Sequence, residues 1–170
     1  MEFLTWCEQL GFSTWVRESG SLWSYPFILF LHTVGLGFLA GLSVVMDARL
    51  LGVASKAPIS PMQKFFPLMW FGFWVNAASG IILLMADATT KAINPVFYVK
   101  MGFITLGVLI MWRLQYRFFR DPKLDEKPVS GKGRTMAVLS LLCWAGAITA
   151  GRLMAYIGPV SGLPGQTNHL

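Results

Sequence analysis

The run Leu22–Gly52, LWSYPFILFLHTVGLGFLAGLSVVMDARLLG, decides the fold. From Pro26 to Met46 it is apolar except for His32, Thr33 and Ser43. A helix needs about 20 apolar residues to cross a bilayer, so this run predicts a membrane span. Trp23 and Tyr25 stand at its start, where aromatic side chains favour the headgroup level. Pro26 is tolerated in a first turn. Asp47 and Arg49 mark the exit. His32 is one of two histidines in the chain. An ionisable group inside a span is costly, which makes it a candidate functional position.

Working outward, three more apolar runs follow, and the expected spans cover residues 24–51, 65–86, 95–116 and 135–157. Asn94-Pro95 predicts an N-cap followed by proline at the first helical position. Gly37 and Gly41, and the small residues from Ala145 to Gly151, predict close helix contacts. Residues 2–10 place Phe3, Trp6, Cys7 and Leu10 on one helical face. Residues 2–18 therefore predict one or two short amphipathic helices, in the membrane interface or packed on the bundle end. The expected fold class is all-α: a four-transmembrane-helix bundle with an N-terminal interfacial helix, one integral membrane domain over 1–170.

Composition agrees. Of 170 residues, 55% are hydrophobic and only 13% charged, against about 25% charged in a typical soluble domain. Mean hydropathy is +0.57. Cys7 and Cys143 differ in expected depth, so no disulfide is expected between them. With no basic cluster before the first run, that run is expected to act as an uncleaved targeting signal.

The net charge of +6 is a topology signal. Arg49, Lys56 and Lys64 follow span 1. Arg113, Arg117, Arg120, Lys123, Lys127, Lys132 and Arg134 surround the loop after span 3. The positive-inside rule puts both basic loops in the cytoplasm and both termini outside. The expected location is a bacterial inner membrane, with the lipid bilayer as first partner. Nucleic-acid binding is not expected, because no such motif is present.

Counting about 1.5 Å per helical residue, His32, Ser79, Lys100 and Arg152 fall at one depth in the outer half of the bundle. Met85, Met101 and Met154 lie in or just above that layer, and Gly35, one turn after His32, leaves space beside the ring. Three ligands suit the set. Haem b would take His32 as an axial ligand, a methionine as a second, and Lys100 and Arg152 on its propionates. A quinone would take a hydrogen bond from His32 or Lys100. A soft metal such as Cu(I) would take His32 and methionine sulfur. Structural readings stand beside these. His32 can simply bond a neighbouring helix carbonyl, Lys100 and Arg152 can snorkel to the headgroups, and Asn76 can join two helices. Asp47 and Arg49, two apart, point to different faces and form a structural rim, with Asp47 expected to pair with Lys64 or Arg113. No Ser/His/Asp set, HExxH motif, phosphate loop or paired intramembrane carboxylates occur, which argues against hydrolase and ATPase chemistry.

The blocks Arg17-Glu18-Ser19, Trp23-Ser24-Tyr25-Pro26, His32 with Gly35, Asp47-Ala48-Arg49-Leu50-Leu51-Gly52, and Asn94-Pro95 with Lys100 resemble a family of small bacterial four-span inner-membrane proteins. The resemblance implies the four-helix fold and singles out His32, Asp47 and Arg49; it carries no activity. Relatives can hold another histidine late in span 3, where this chain has Trp112-Arg113-Leu114-Gln115. A haem shared by His32 of two protomers, a homodimer, is compatible with that. The architecture is also loosely similar to cytochrome b subunits. The expected function is a membrane subunit of a redox system, for electron transfer, binding haem b or quinone near His32. The alternative is a non-catalytic accessory or assembly subunit of a larger membrane complex, or a small metal or solute transporter.

Overall fold

The computed structural model describes residues 2–120, Asp125 and 129–154, and every regular element among them is helical. Two short helices come first, α1 (Glu2–Gln9) and α2 (Gly11–Glu18). Then α3 (Tyr25–Leu36), a π-helical turn (Gly37–Gly41) and α4 (Leu42–Leu51) run on as one rod. A 3-10 turn (Ser60–Lys64) leads into α5 (Phe65–Met85). The short α6 (Ala88–Ala92) joins it to α7 (Pro95–Arg113), which ends in a second π-helical turn, Leu114–Phe118. The last helix is α8 (Gly131–Leu153).

Four stretches are long and apolar enough to cross a membrane: Tyr25–Leu51, Ser60–Met85, Pro95–Arg117 and Gly131–Leu153. The chain is a multi-pass, all-α membrane protein. Its outer surface has the composition of a core: only 11% of the span 3 window is buried, and Trp74, Ile81 and Leu106 are exposed. In water such a surface would aggregate; in lipid it is the solvated face.

Local chemistry sets the helix ends. The Asn94 side chain accepts from Val96 N–H at 2.9 Å, the N-cap the sequence predicts. Gly52 takes φ +110°, and the amides of Gly52 and Val53 bond back to Arg49 and Ala48. Span 4 begins at Gly131, not at residue 135, because Ser130 caps it by accepting from Gly133 N–H. Residues 88–92 form a helix where a loop is expected. The expected end of span 4 at 157 and the tail with His169 lie outside the described residues.

The helices pack as two pairs, α3 with α5 and α7 with α8, joined through α4 on α8. The main core lies at the end bearing the basic loops, where Met46, Leu50, Phe66, Met69, Met111, Leu114, Phe119 and Trp144 are buried together. There the Trp70 indole donates to Gln115 at 2.9 Å, the Gln63 amide donates to the Phe119 carbonyl, and Phe119 meets Phe66 edge-on. A smaller core of Val16, Ile28, Leu83 and Ala86 ties α2 to α3 and α5 at the opposite end, the His32 end. Among the described residues, α3 and α5 have no comparable packing on α7 or α8. The pairs are thus knitted at the basic end and only loosely apposed at the His32 end.

Two expectations about small residues change. A Cβ on Gly37 or Gly41 would meet nothing within 4 Å, so these glycines do not make the close contact. That crossing belongs to Gly35 and Gly72. A Cβ on Gly35 would lie 2.7 Å from Asn76 N, and one on Gly72 2.8 Å from Gly35 O. The span 4 glycines do serve tight packing, but as sockets for side chains: Gly146 takes the Phe103 ring, and Gly107 in α7 takes the Trp144 ring.

Candidate functional site

Span 2 carries Gly72, Asn76 and Gly80 at steps of four, which puts them along one helix face. That face meets His32 and Gly35 of α3. Because Gly35 and Gly72 remove two side chains from the crossing, the backbones come close enough for side chains to reach across to main-chain carbonyls. His32 and Asn76 use this reciprocally. The Asn76 amide donates to His32 O at 2.7 Å, and His32 Nδ1 lies 3.0 Å from Asn76 O. His32 Nδ1 is also 3.1 Å from Ser79 Oγ, and that hydroxyl donates to Val75 O at 2.6 Å.

These contacts fix the imidazole. A carbonyl can only accept, so Nδ1 carries the proton that points to Asn76 O. Ser79 gives its own proton to Val75 and offers lone pairs to the same N–H. In the neutral ring the other nitrogen, Nε2, then bears the lone pair. Among the described residues Nε2 has no hydrogen-bond partner, and the ring is only half-buried. Gly80 makes the approach possible. A Cβ there would sit 3.1 Å from His32 Cε1 and 3.4 Å from Nδ1.

The cationic neighbours of His32 are Lys100 and Lys91. Lys100 comes from α7, across the loose seam, and its stem runs over Gly151 of α8. Lys91 lies in α6, outside the spans. Its ammonium donates to Leu83 O at 2.8 Å and sits 3.8 Å from Asp87. Burial pushes the Lys91 ammonium below the usual lysine range, and Asp87 opposes that shift. The site therefore combines one fixed imidazole with two amines, a donor set for an anionic or electron-pair-accepting ligand.

Of the sequence candidates, the structure joins His32 and Ser79 and brings Lys100 within electrostatic reach. Gly35 makes room for the span 2 backbone, not for a group beside the ring, and it is Gly80 that makes room for the imidazole itself. Arg152 is exposed and Met101 is 43% exposed, so both face away from the bundle. Met85 and Met154 are half-buried at the ends of α5 and α8. Among the described residues no group of three or more His, Cys, Asp and Glu side chains converges to hold a metal.

At the basic end Asp47 and Arg49 do point apart. Arg49 holds the following loop through Ala57 O at 2.8 Å and Ser55 O at 2.9 Å. Asp47 does not pair with Lys64 or Arg113, both of which are exposed. It is buried and bonded to Ser140 of α8 instead. The α4–α8 contact turns it inward, away from the rim.

Gly72, Gly80 and Ser140 are absent from the sequence-based set. The four-residue spacing of Gly72, Asn76 and Gly80 was a readable signal for the first two; Ser140 had none, since its role depends on which helix faces α4. No protein-family model matches the chain, and neither does any curated protein or solved structure.

Proposed function

We propose that this chain is a membrane subunit of a redox system that holds haem b at His32. One observation carries the reading: Nδ1–H is committed to a carbonyl, which leaves Nε2 as a free lone pair on an oriented ring. Metal-binding histidines are oriented in this way, with the second nitrogen bonded to a carbonyl or carboxylate, and a proximal histidine is a common axial ligand of haem iron. Lys100 supplies positive charge for a propionate. On this reading the ligand lies at the seam between the helix pairs, away from the main core. Nε2 of the neutral ring cannot donate to a quinone carbonyl, which leaves only Lys100 for that role, whereas haem iron uses the free Nε2 lone pair itself; haem is therefore favoured over quinone. A methionine or His32 of a second copy would supply a second ligand. On the charge distribution of the loops, the basic end is cytoplasmic and both termini lie outside, in a bacterial inner membrane.

The test is the visible spectrum of protein purified in mild detergent after haem-sufficient growth. A Soret band with a sharp reduced α-band is expected, and His32→Ala should lose it while helicity is retained. A colourless, folded wild-type protein would sink the reading. The bare surface of span 3 favours a second reading, in which this face packs on a larger complex without any ligand of its own. Co-purification of a defined partner with a colourless chain is its signature.

A further inference from the structure

We infer that Asp47 is a proton-binding site inside the bundle, held as the carboxylic acid. The chain has eight Asp and Glu residues, and among the described ones only Asp47 lies within a span. It is 1% exposed. Among the described residues its one polar partner is the Ser140 hydroxyl, itself 1% exposed, and its Oδ2 has no hydrogen-bond partner. Ser43, one turn earlier on α4, is also buried.

Among the described residues no cation pairs with this carboxyl. Arg49 is spent on the carbonyls of Ser55 and Ala57. Lys64 at the start of span 2, Arg113 at the end of α7, and Lys132 and Arg134 at the start of α8 are all exposed. An ionised carboxylate with a bare oxygen in an apolar core costs far more than a neutral one. A proton taken from solvent removes the charge: the O–H donates to Ser140 Oγ, and Oδ2 becomes a carbonyl oxygen, which tolerates a missing partner. Asp47 lies 15 residues after His32 on the same rod, about 22 Å away at 1.5 Å per residue. The site is therefore separate from His32 and stands without the haem reading.

Infrared spectroscopy of the whole chain in lipid vesicles at neutral pH tests this. The difference between the wild type and Asp47→Asn assigns a protonated-carboxyl carbonyl band to this group. The band is expected in the wild type, shifts in D2O, disappears in Asp47→Asn, and moves in frequency in Ser140→Ala. Should Asp47→Asn not fold, Asp47→Glu replaces it and must give a displaced acid band. Absence of the band in the wild type overturns the proposal, as does its persistence in Asp47→Asn. A carboxylate band that responds to sodium ions, with no acid band, overturns it in favour of a metal-cation site.

Discussion

At the scale of single residues, the clasp between His32 and Asn76 makes clear demands. Asn76→Ala removes one interhelical hydrogen bond and is expected to cost about 1 kcal/mol, typical of such bonds in membrane bundles. Thermal unfolding in detergent measures it. Gly80→Ala puts a methyl 3.1 Å from His32 Cε1. The ring must move, so occupancy by the proposed haem is expected to fall severalfold, with a much smaller change in melting temperature. Gly35→Ala acts oppositely. Its Cβ would meet backbone at 2.7 Å, overpacking that costs about 1–3 kcal/mol and is seen as a lower melting temperature whether or not a ligand is bound. The sequence made part of this legible. An ionisable residue in an apolar run drew attention to His32, and Asn76 read as glue between helices. The partner carbonyl was not legible, because its position depends on the depth at which two spans cross.

At the scale of elements, a carboxylate of α1 clamps that helix onto α6. Asp87 precedes α6 but its side chain does not cap it. Glu8 of α1 does so from outside, accepting from Thr89 N–H and Oγ1, each at 2.7 Å. Partial burial works to raise the Glu8 carboxyl, but the Thr89 bonds and the nearby Arg17 outweigh it and bring it below its ordinary value of 4.5. A lowered folded value means the clamp is complete above about pH 4.5 and weakens as pH falls through the folded value. Loss of α1 docking is therefore expected only in acid, and Glu8→Gln should weaken docking at neutral pH. Fluorescence of a probe on Glu2→Cys, in a background lacking the native cysteines, reads both. Amphipathic spacing announced these helices. The clamp joins residues 81 apart and has no local pattern, and α6 read as a loop because its cap comes from another element.

At the scale of the whole molecule, hydropathy alone gave the four spans; the expected edges at 24, 51, 86, 95 and 116 agree to within one residue, whereas spans 2 and 4 begin at Ser60 and Gly131, five and four residues earlier than expected. Caps account for that: Asn94 is a strong local signal, whereas Ser130 lies in a charged, glycine-containing stretch that resembles a loop. Pairing of the spans was not legible, since every span is apolar on most of its circumference and no hydrophobic face singles out a neighbour. The charge distribution does support a testable topology. With Cys7 and Cys143 replaced, an impermeant thiol reagent added outside is expected to label Glu2→Cys and spare Lys56→Cys. The reverse pattern would invert the proposed orientation.

The π-helical turn at Gly37–Gly41 has a geometric consequence for both ends of span 1. A π turn is an α-helix carrying one surplus residue, and one residue is about 100° of rotation. The two halves of the rod are thus keyed to different azimuths, His32 toward α5 and Asp47 toward α8. Deleting a single residue between 37 and 41 would leave the span long enough to cross the bilayer and as apolar as before. It would also turn one half by more than a quarter revolution against the other, so that either the imidazole or the carboxyl would face the acyl chains. A helix that hydropathy could not tell from the original would then lack one of its two polar contacts.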